Sequence, residues 1–347
     1  MILLTLRDLR FRLVRFVVVV FLGAVVFALL FVMTGLVEQL NSEPFKTLDG
    51  IGASAWVLPA GVNGPFTASS TMPAATVGAV VADAVGPVVT SRSSLTADGL
   101  AEEVVVIGHD IGGLGSPDTA SGRPAEANGE VVLDESLDID VGATVNLGGV
   151  PFTVVGTTQD TTLLAGVPLV FTTTTDAQDL VFRSRDVISA VLVDGEVTSV
   201  PEGMKLMTID DIGHDTLRPL DGAIASIDLV RFLLWIVAAV IIGSVVYLSA
   251  LERQRDFAVL KAIGTSNRTL LASLALQAVL VALGAVALAA IIQIFLVPAF
   301  PLKVTVPDRA FWQLPLLAVV VALLAGAVGM RRVARADPAA AFAGAGG

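Results

Sequence analysis

The densest gathering of potential metal ligands in this sequence is Asp210-Asp211-Ile212-Gly213-His214-Asp215. On a helix Asp210 and His214 would share a face, and a cation site there would need two or three carboxylates to converge on the imidazole. The same residues suit the solvated first turn of an amphipathic helix, where acidic side chains complement the N-terminal dipole. That simpler reading leaves no metal assigned. His109-Asp110, in a glycine-rich stretch, offers less, and the chain has only these two histidines. With no cysteine there is no thiolate ligand, no thiol nucleophile and no disulfide framework. No Gly-x-Ser-x-Gly elbow occurs, so no hydrolase triad is assembled in sequence. Nor does any Gly-x-x-x-x-Gly-Lys-Ser/Thr loop offer its backbone to nucleotide phosphates. The expectation is a chain that is not an enzyme, with no catalytic residue, no metal and no cofactor of its own.

The remaining polar side chains of interest lie in or beside apolar runs. Asp228 and Arg231 are three residues apart, the spacing of an ion pair on one helix face. They suit an interfacial anchor, or alternatively a substrate contact. Tyr247, the single tyrosine, is a second substrate candidate, against which stands a simple hydrogen bond to a neighbouring helix. Gln277 and Gln293 are expected to make helix-to-helix hydrogen bonds.

The elements that hold these residues are four long apolar runs, at 16–37, 232–251, 269–302 and 311–330. A hydrocarbon core of about 30 Å requires about 20 helical residues, so each run is long enough to cross a bilayer. The first run is too long for a signal-peptide core and is not followed by a small-residue cleavage site, which makes it an uncleaved anchor. Arg7, Arg10, Arg12 and Arg15 precede the first run. Arg253, Arg255, Lys261 and Arg268 lie between the second and third, and Arg331, Arg332 and Arg335 follow the last. Against these stand only Asp8, Glu252, Asp256 and Asp337, so the positive-inside rule places all three segments in the cytoplasm. Residues 39–227 carry 7 basic and 25 acidic side chains, a net charge of −18, and face outward. A surface of that sign does not recruit nucleic acid.

The fold class expected is thus a membrane α-helical protein of four spans, arranged 1+3, with a large extracytoplasmic mixed α/β domain inserted between spans 1 and 2. In chain order this gives a cytoplasmic N-terminus (1–15), a first membrane helix with a stalk extension (16–38) and the extracytoplasmic domain and stalk (39–227). A second span (228–251), a cytoplasmic coupling helix (252–268), a third span (269–299), an external loop (300–310), a fourth span (311–330) and a cytoplasmic tail (331–347) follow.

Within the outer domain, short runs rich in Val, Ile, Phe and Thr predict strands at 55–59, 77–81, 88–91, 103–107, 130–133, 144–147, 150–157, 169–173 and 190–193. Gly148-Gly149 predicts a hairpin turn. Helical patches are expected at 74–83, 134–137 and 175–181, and an irregular loop at 112–129. Leu40, Phe45, Leu48 and Ile51 extend the first helix past the membrane. Ile209, Ile212, Leu217, Leu220, Ile224, Ile227 and Val230 recur at helical spacing into the second span, which predicts a second stalk.

Residues 251–268 form the connector between spans two and three. Read as a helix, it gathers Phe257, Leu260, Ala262 and Ile263 beyond a charged start of Glu252, Arg253, Arg255 and Asp256. Gly264 ends it, and Thr265, Ser266 or Asn267 caps the next helix. A short helix with a stiff helix at each end is a mechanical coupler.

The stretch "ERQRDFAVLKAIGTSNRTL" after a membrane helix resembles the signature of the FtsX/MacB-type permeases of ABC transporters, the type VII or mechanotransmission group. "RRVARADPAAAFAG", 331–344, is similar to that family's terminal pattern, with Phe342 where Leu is usual, and "GEVVLDESLDIDVGATVNLGGVPFTVVG", 129–156, resembles its outer core domain. The resemblance implies a permease that works as a homodimer, or as a heterodimer with a related permease, in membrane lipid. It also implies a separate cytoplasmic ABC ATPase that binds ATP and Mg. Glu252, Arg253, Arg255, Asp256, Leu260, Lys261 and Gly264 would then be the ATPase-coupling residues, and the location a bacterial plasma membrane with both termini cytoplasmic. The function implied is coupling of the partner's ATP hydrolysis to motion of the outer domain and export or extraction of an amphipathic substrate. The alternative is a non-transporting signalling or scaffold subunit that activates an extracytoplasmic partner.

Overall fold

The computed structural model describes residues 13–252, 259, 263–300 and 302–334. They fall into two compact units. One comprises the chain up to Gln39 together with the chain from Ile224 onward, and the other is Leu40–Ala223.

The first helix, α1 (Leu13–Gly50), enters the second unit at its C-terminal end. That unit is built from β1 (Ala55–Pro59), β2 (Met72–Pro73), β3 (Val81–Ala97), β4 (Leu100–His109), β5 (Ser121–Gly122), β6 (Glu130–Asp134) and β7 (Thr144–Leu147). β8 (Val150–Thr158), β9 (Thr162–Leu163), β10 (Val167–Thr173), α2 (Thr174–Val181), β11 (Val187–Ile188), β12 (Ala190–Ser199), β13 (Met204–Thr208) and α3 (Ile209–Leu217) complete it. The main sheet runs β13-β1-β12-β3-β4-β10-β6-β8-β5, with β7 bridging β3 and β8, and β9 paired to β10; β2 and β11 pair separately. Two of its pairings, β10 with β4 and β6 with β8, are parallel. Strands buried on both faces read as unbroken apolar runs, and 104–107, 131–133, 169–171 and 190–193 have that character. One face closes over Val89, Val106 and Leu133 with Ala177 of α2. The other closes over Val105, Ile107 and Phe171 with Leu48 and Ile51 at the end of α1 and Ile212 of α3.

The expected hairpin forms at Gly148-Gly149, with Leu147 facing Val150. The segment expected as a strand at 77–81 is instead a 3-10 turn, Ala74–Ala79, and the strand begins at Val81. Val77 and Val80 are the apolar residues that suggested the strand; the chain uses Val80 as a buried stop before β3. The segment 112–129, expected to be irregular throughout, contains β5, which adds to the edge of β8. α3 begins with a reciprocal cap: the Thr208 side chain accepts from the Asp211 amide, and the Asp211 carboxylate accepts from the Thr208 amide at 3.1 Å and its hydroxyl at 2.8 Å.

After α3, Pro219 imposes one 3-10 turn, Arg218–Leu220, because it has no N–H to continue the ladder. α4 (Asp221–Glu252), α5 (Asn267–Leu296) and α6 (Ala310–Ala334) follow. Among the described residues, three helical stretches are long and apolar enough to cross a membrane: Phe16–Gly50, Ile209–Glu252 and Ala272–Ala299; Ala310–Ala325 is a shorter apolar stretch of α6. Their shared core uses Ala238, Ile242 and Val246 of α4 against Ala278, Ala282 and Ala285 of α5. Alanines three and four residues apart line one helix face and let helices approach closely where lipid offers no hydrophobic drive to association. Phe27 meets Trp235 edge-on at 5.8 Å, and Phe31 meets Phe311 at 5.2 Å.

Candidate functional site

Glu252 closes α4, and α5 opens at Asn267. Of the expected coupling residues, Arg253, Arg255, Asp256, Leu260 and Lys261 lie outside the described residues. The Ile263 amide donates to the Val259 carbonyl at 3.1 Å, a helical hydrogen bond. Val259 and Ile263, four apart, are both exposed, at 51% and 77%. Gly264 then takes φ +97°, a left-handed conformation that a side chain disfavours and that ends a helix. Ser266 caps α5 by accepting from the Thr269 amide at 3.3 Å. The connector therefore leaves one helix, turns at a glycine and enters a capped helix, all within 15 residues, 252–266.

Just inside that connector, Ser249 of α4 and Gln277 of α5 are buried and hydrogen-bonded to each other, the amide donating at 3.0 Å and the hydroxyl at 3.2 Å. Gln293, expected to bridge helices, donates instead to the Ala290 carbonyl of its own helix at 3.4 Å. Asp228 and Arg231 are ion-paired at 2.7 Å within α4, and Tyr247 is half-buried on the same helix. Arg309, before α6, pairs with Glu38 of α1, a contact that nothing in the sequence spacing announces.

The acidic cluster around His214 is divided among structural tasks. Asp211 serves in the reciprocal cap, and the Thr208 hydroxyl is the main reason that its pKa is lowered. Asp215 is buried; it accepts from the Thr67 hydroxyl and lies 3.7 Å from Arg218. His214 sets its ring edge-on to Phe45 at 5.5 Å. A cleft of about 410 Å³ runs past Lys205, Asp211, His214 and Asp215. Among the described residues no group of three or more His, Asp and Glu side chains is placed to hold a cation. His109 is buried, its Nδ1 3.0 Å from the Asp110 carbonyl oxygen, while the Asp110 carboxylate turns away to accept from Thr174 at 2.8 Å. Burial pushes the His109 pKa down and keeps the ring neutral.

A model of the FtsX-like permease C-terminal domain matches residues 229–338, which takes in most of α4, the connector, α5 and α6. An uncharacterized ABC transporter permease of Mycobacterium tuberculosis is 40% identical over 343 residues, covering 98% of each chain. A second one from the same species is 38% identical over 348 residues, again covering 98% of each. This chain belongs to the FtsX-like ABC transporter permeases. A permease with three such apolar helices is a multi-pass membrane protein. Among solved structures, the periplasmic region of MacB from Actinobacillus actinomycetemcomitans aligns with 49% of this chain and 96% of its own, at 16% identity and a TM-score of 0.35. The extracellular domain of the noncanonic ABC-type transporter YknZ from Gram-positive bacteria aligns with 49% and 93%, at 15% identity and a TM-score of 0.30.

One part of the permease's Leu40–Ala223 unit escaped the sequence reading. Glu43, on the part of α1 beyond Gln39, is buried and accepts three hydrogen bonds: from the Thr162 hydroxyl at 2.5 Å, the Gly166 amide at 2.8 Å and the Ala165 amide at 3.1 Å. Burial pushes its pKa up, against the pull of those three donors. The available signal was a carboxylate three residues after Leu40, a spacing that places the two side by side on the helix.

Proposed function

We propose that this permease couples ATP hydrolysis by a separate cytoplasmic ABC ATPase, which binds ATP and Mg, to motion of its extracytoplasmic domain and to export or extraction of an amphipathic substrate. α6 serves as a fourth span, both termini face the cytoplasm of a bacterial cell, and the permease works as a dimer in the plasma membrane. The observation that carries this reading is the connector between α4 and α5. It is basic, short and bounded by a stiff helix on each side, and its described part exposes Val259 and Ile263 as an apolar pair for a partner's groove. Glu252, Arg253, Arg255, Asp256, Leu260, Lys261 and Gly264 make up the docking segment; Asp228, Arg231 and Tyr247 are candidate substrate contacts. A partner's nucleotide state shifts the permease only if it contacts two arrangements of this segment with different free energies.

The test is reconstitution with the ATPase that co-purifies. Gly264→Pro forces φ from +97° to about −65°, and charge reversal at Arg253 and Arg255 removes the cationic start of the segment. Both variants are expected to remain folded and to lose stimulated ATP hydrolysis; normal stimulation would overturn the assignment. Vesicles that hydrolyse ATP but move no labelled amphipathic compound would favour a signalling role over transport.

A further inference from the structure

We propose that Glu43 is the positioning residue that fixes the outward end of α1 to the β9–β10 turn, so that displacement of the helix is delivered to the centre of the outer sheet. The proposal rests on the coupling reading above and adds the point of attachment.

Three observations support it. First, apolar contact alone, such as that of Leu48 and Ile51 with the sheet, is non-directional and tolerates sliding. A carboxylate holding three donors is different, because each bond restricts distance and angle and is strengthened by the charge. Thr47, one helical turn on, adds a fourth bond by donating to the Thr162 carbonyl at 2.7 Å. Second, the turn that receives Glu43 has an unusual backbone: Leu164, Ala165 and Gly166 take φ of +56°, +71° and +98° in succession. Left-handed conformations at non-glycine residues are disfavoured and persist where surrounding contacts enforce them. Here they aim the amides of Ala165 and Gly166 at one carboxylate. Third, the turn is not a loose tip. Asp134, buried at the end of β6, holds it by accepting from the Thr161 amide at 2.7 Å and hydroxyl at 2.8 Å. β10, which leaves the turn, lies between β4 and β6 within the sheet. A buried carboxylate on the helix and another on the sheet thus grip the same six residues, 161–166.

The experiment uses the full-length permease in nanodiscs with its co-purifying ATPase, read by hydrogen exchange with and without ADP–vanadate. In Glu43→Ala the amides of Ala165 and Gly166 are expected to exchange roughly 10-fold faster or more. The core amides of 104–107 should stay protected and ATP hydrolysis should persist, while the nucleotide-dependent change across 55–208 is lost. Glu43→Gln, which keeps one acceptor oxygen and turns its amide toward a donor, should fall between the two. Thr162→Val removes a single bond without emptying the site and decides the matter if Glu43→Ala does not fold; it should weaken the nucleotide response. A response of wild-type size in Thr162→Val and Glu43→Gln would overturn the proposal. If the wild-type permease itself shows no nucleotide-dependent change, the coupling reading fails and the relay role with it, while the exchange of Ala165 and Gly166 still reports whether the attachment exists.

Discussion

Gly213 of α3 packs against Phe45 of α1, and substitution at Gly213 tests that contact. A Cβ added at Gly213 would stand 2.4 Å from the Phe45 Cε1 atom and 2.8 Å from Cδ1 and Cζ, closer than carbon atoms pack. The ring also lies edge-on to His214 at 5.5 Å, a contact that it would give up in swinging aside. Overpacking of this kind costs about 1–3 kcal/mol. Opposing it, alanine is a better helix former than glycine by about 0.5–1 kcal/mol. The steric term is the larger, so Gly213→Ala should destabilise α3 locally by up to about 2.5 kcal/mol, which corresponds to as much as roughly 70-fold faster exchange of the amides of 213–217.

The companion variant is Phe45→Leu, which withdraws the ring edge. Phe45→Leu alone loosens the contact, yet in its presence Gly213→Ala should become neutral or stabilising, since only the helix-propensity gain is left. A coupling of about 1–3 kcal/mol, the whole steric term, is therefore expected between the two substitutions from a double-mutant cycle. Gly213→Ala slowing exchange in the presence of Phe45 would refute the reasoning, because it would mean that the ring does not occupy the space against the glycine.

Glu130 gives a pH dependence to the Leu40–Ala223 unit. Its carboxylate takes a two-pronged contact from Arg123, at 2.8 and 2.5 Å, which is the main cause of a pKa lowered from 4.5 to about 2. A depressed acid stabilises the fold above its unfolded pKa, so this contribution is intact above about pH 4.5 and is lost as the pH falls through about 2. Arg123 is 45% exposed, so solvent and salt screen the pair and its contribution is small. Arg123→Gln should move acid unfolding of β6 and β8, followed by hydrogen exchange, to higher pH; an unchanged midpoint would count against the pairing. In the membrane unit, Gln277→Leu removes the Ser249 contact and should lower resistance to unfolding by about 0.5–1.5 kcal/mol, measured by steric trapping in bicelles. A Ser249→Ala, Gln277→Leu double variant no worse than either single one would establish that the two side chains act as one pair.

The membrane helices were legible because a bilayer demands length and apolarity at every position, and α4 and α5 satisfy that demand without reference to any other part of the chain. The hairpin at Gly148-Gly149 was legible for a similar reason: the turn chemistry is local. The segment 74–83 was not, since its valines suit a strand or a helix equally, and the choice was made by burial of Val80 at the start of β3. β3 itself runs 17 residues, Val81–Ala97, through Pro87, which local rules would treat as a break. Pro87 is accommodated opposite Val191 in a ladder whose register shifts further along, between Asp194 and Val197. The same distinction separates the expected site from the one that sequence reasoning missed. The connector at 252–268 announces itself through charge, a glycine and a cap, all within one short stretch. Glu43 does not, because its partners, Thr162, Ala165 and Gly166, lie more than a hundred residues away and acquire meaning only when β9 and β10 fold back to present their turn. A lone carboxylate on an apolar helix face is nevertheless a signal in its own right. Burying it without donors would cost more than a marginally stable domain can absorb, so its position predicts that donors must arrive from elsewhere in the fold.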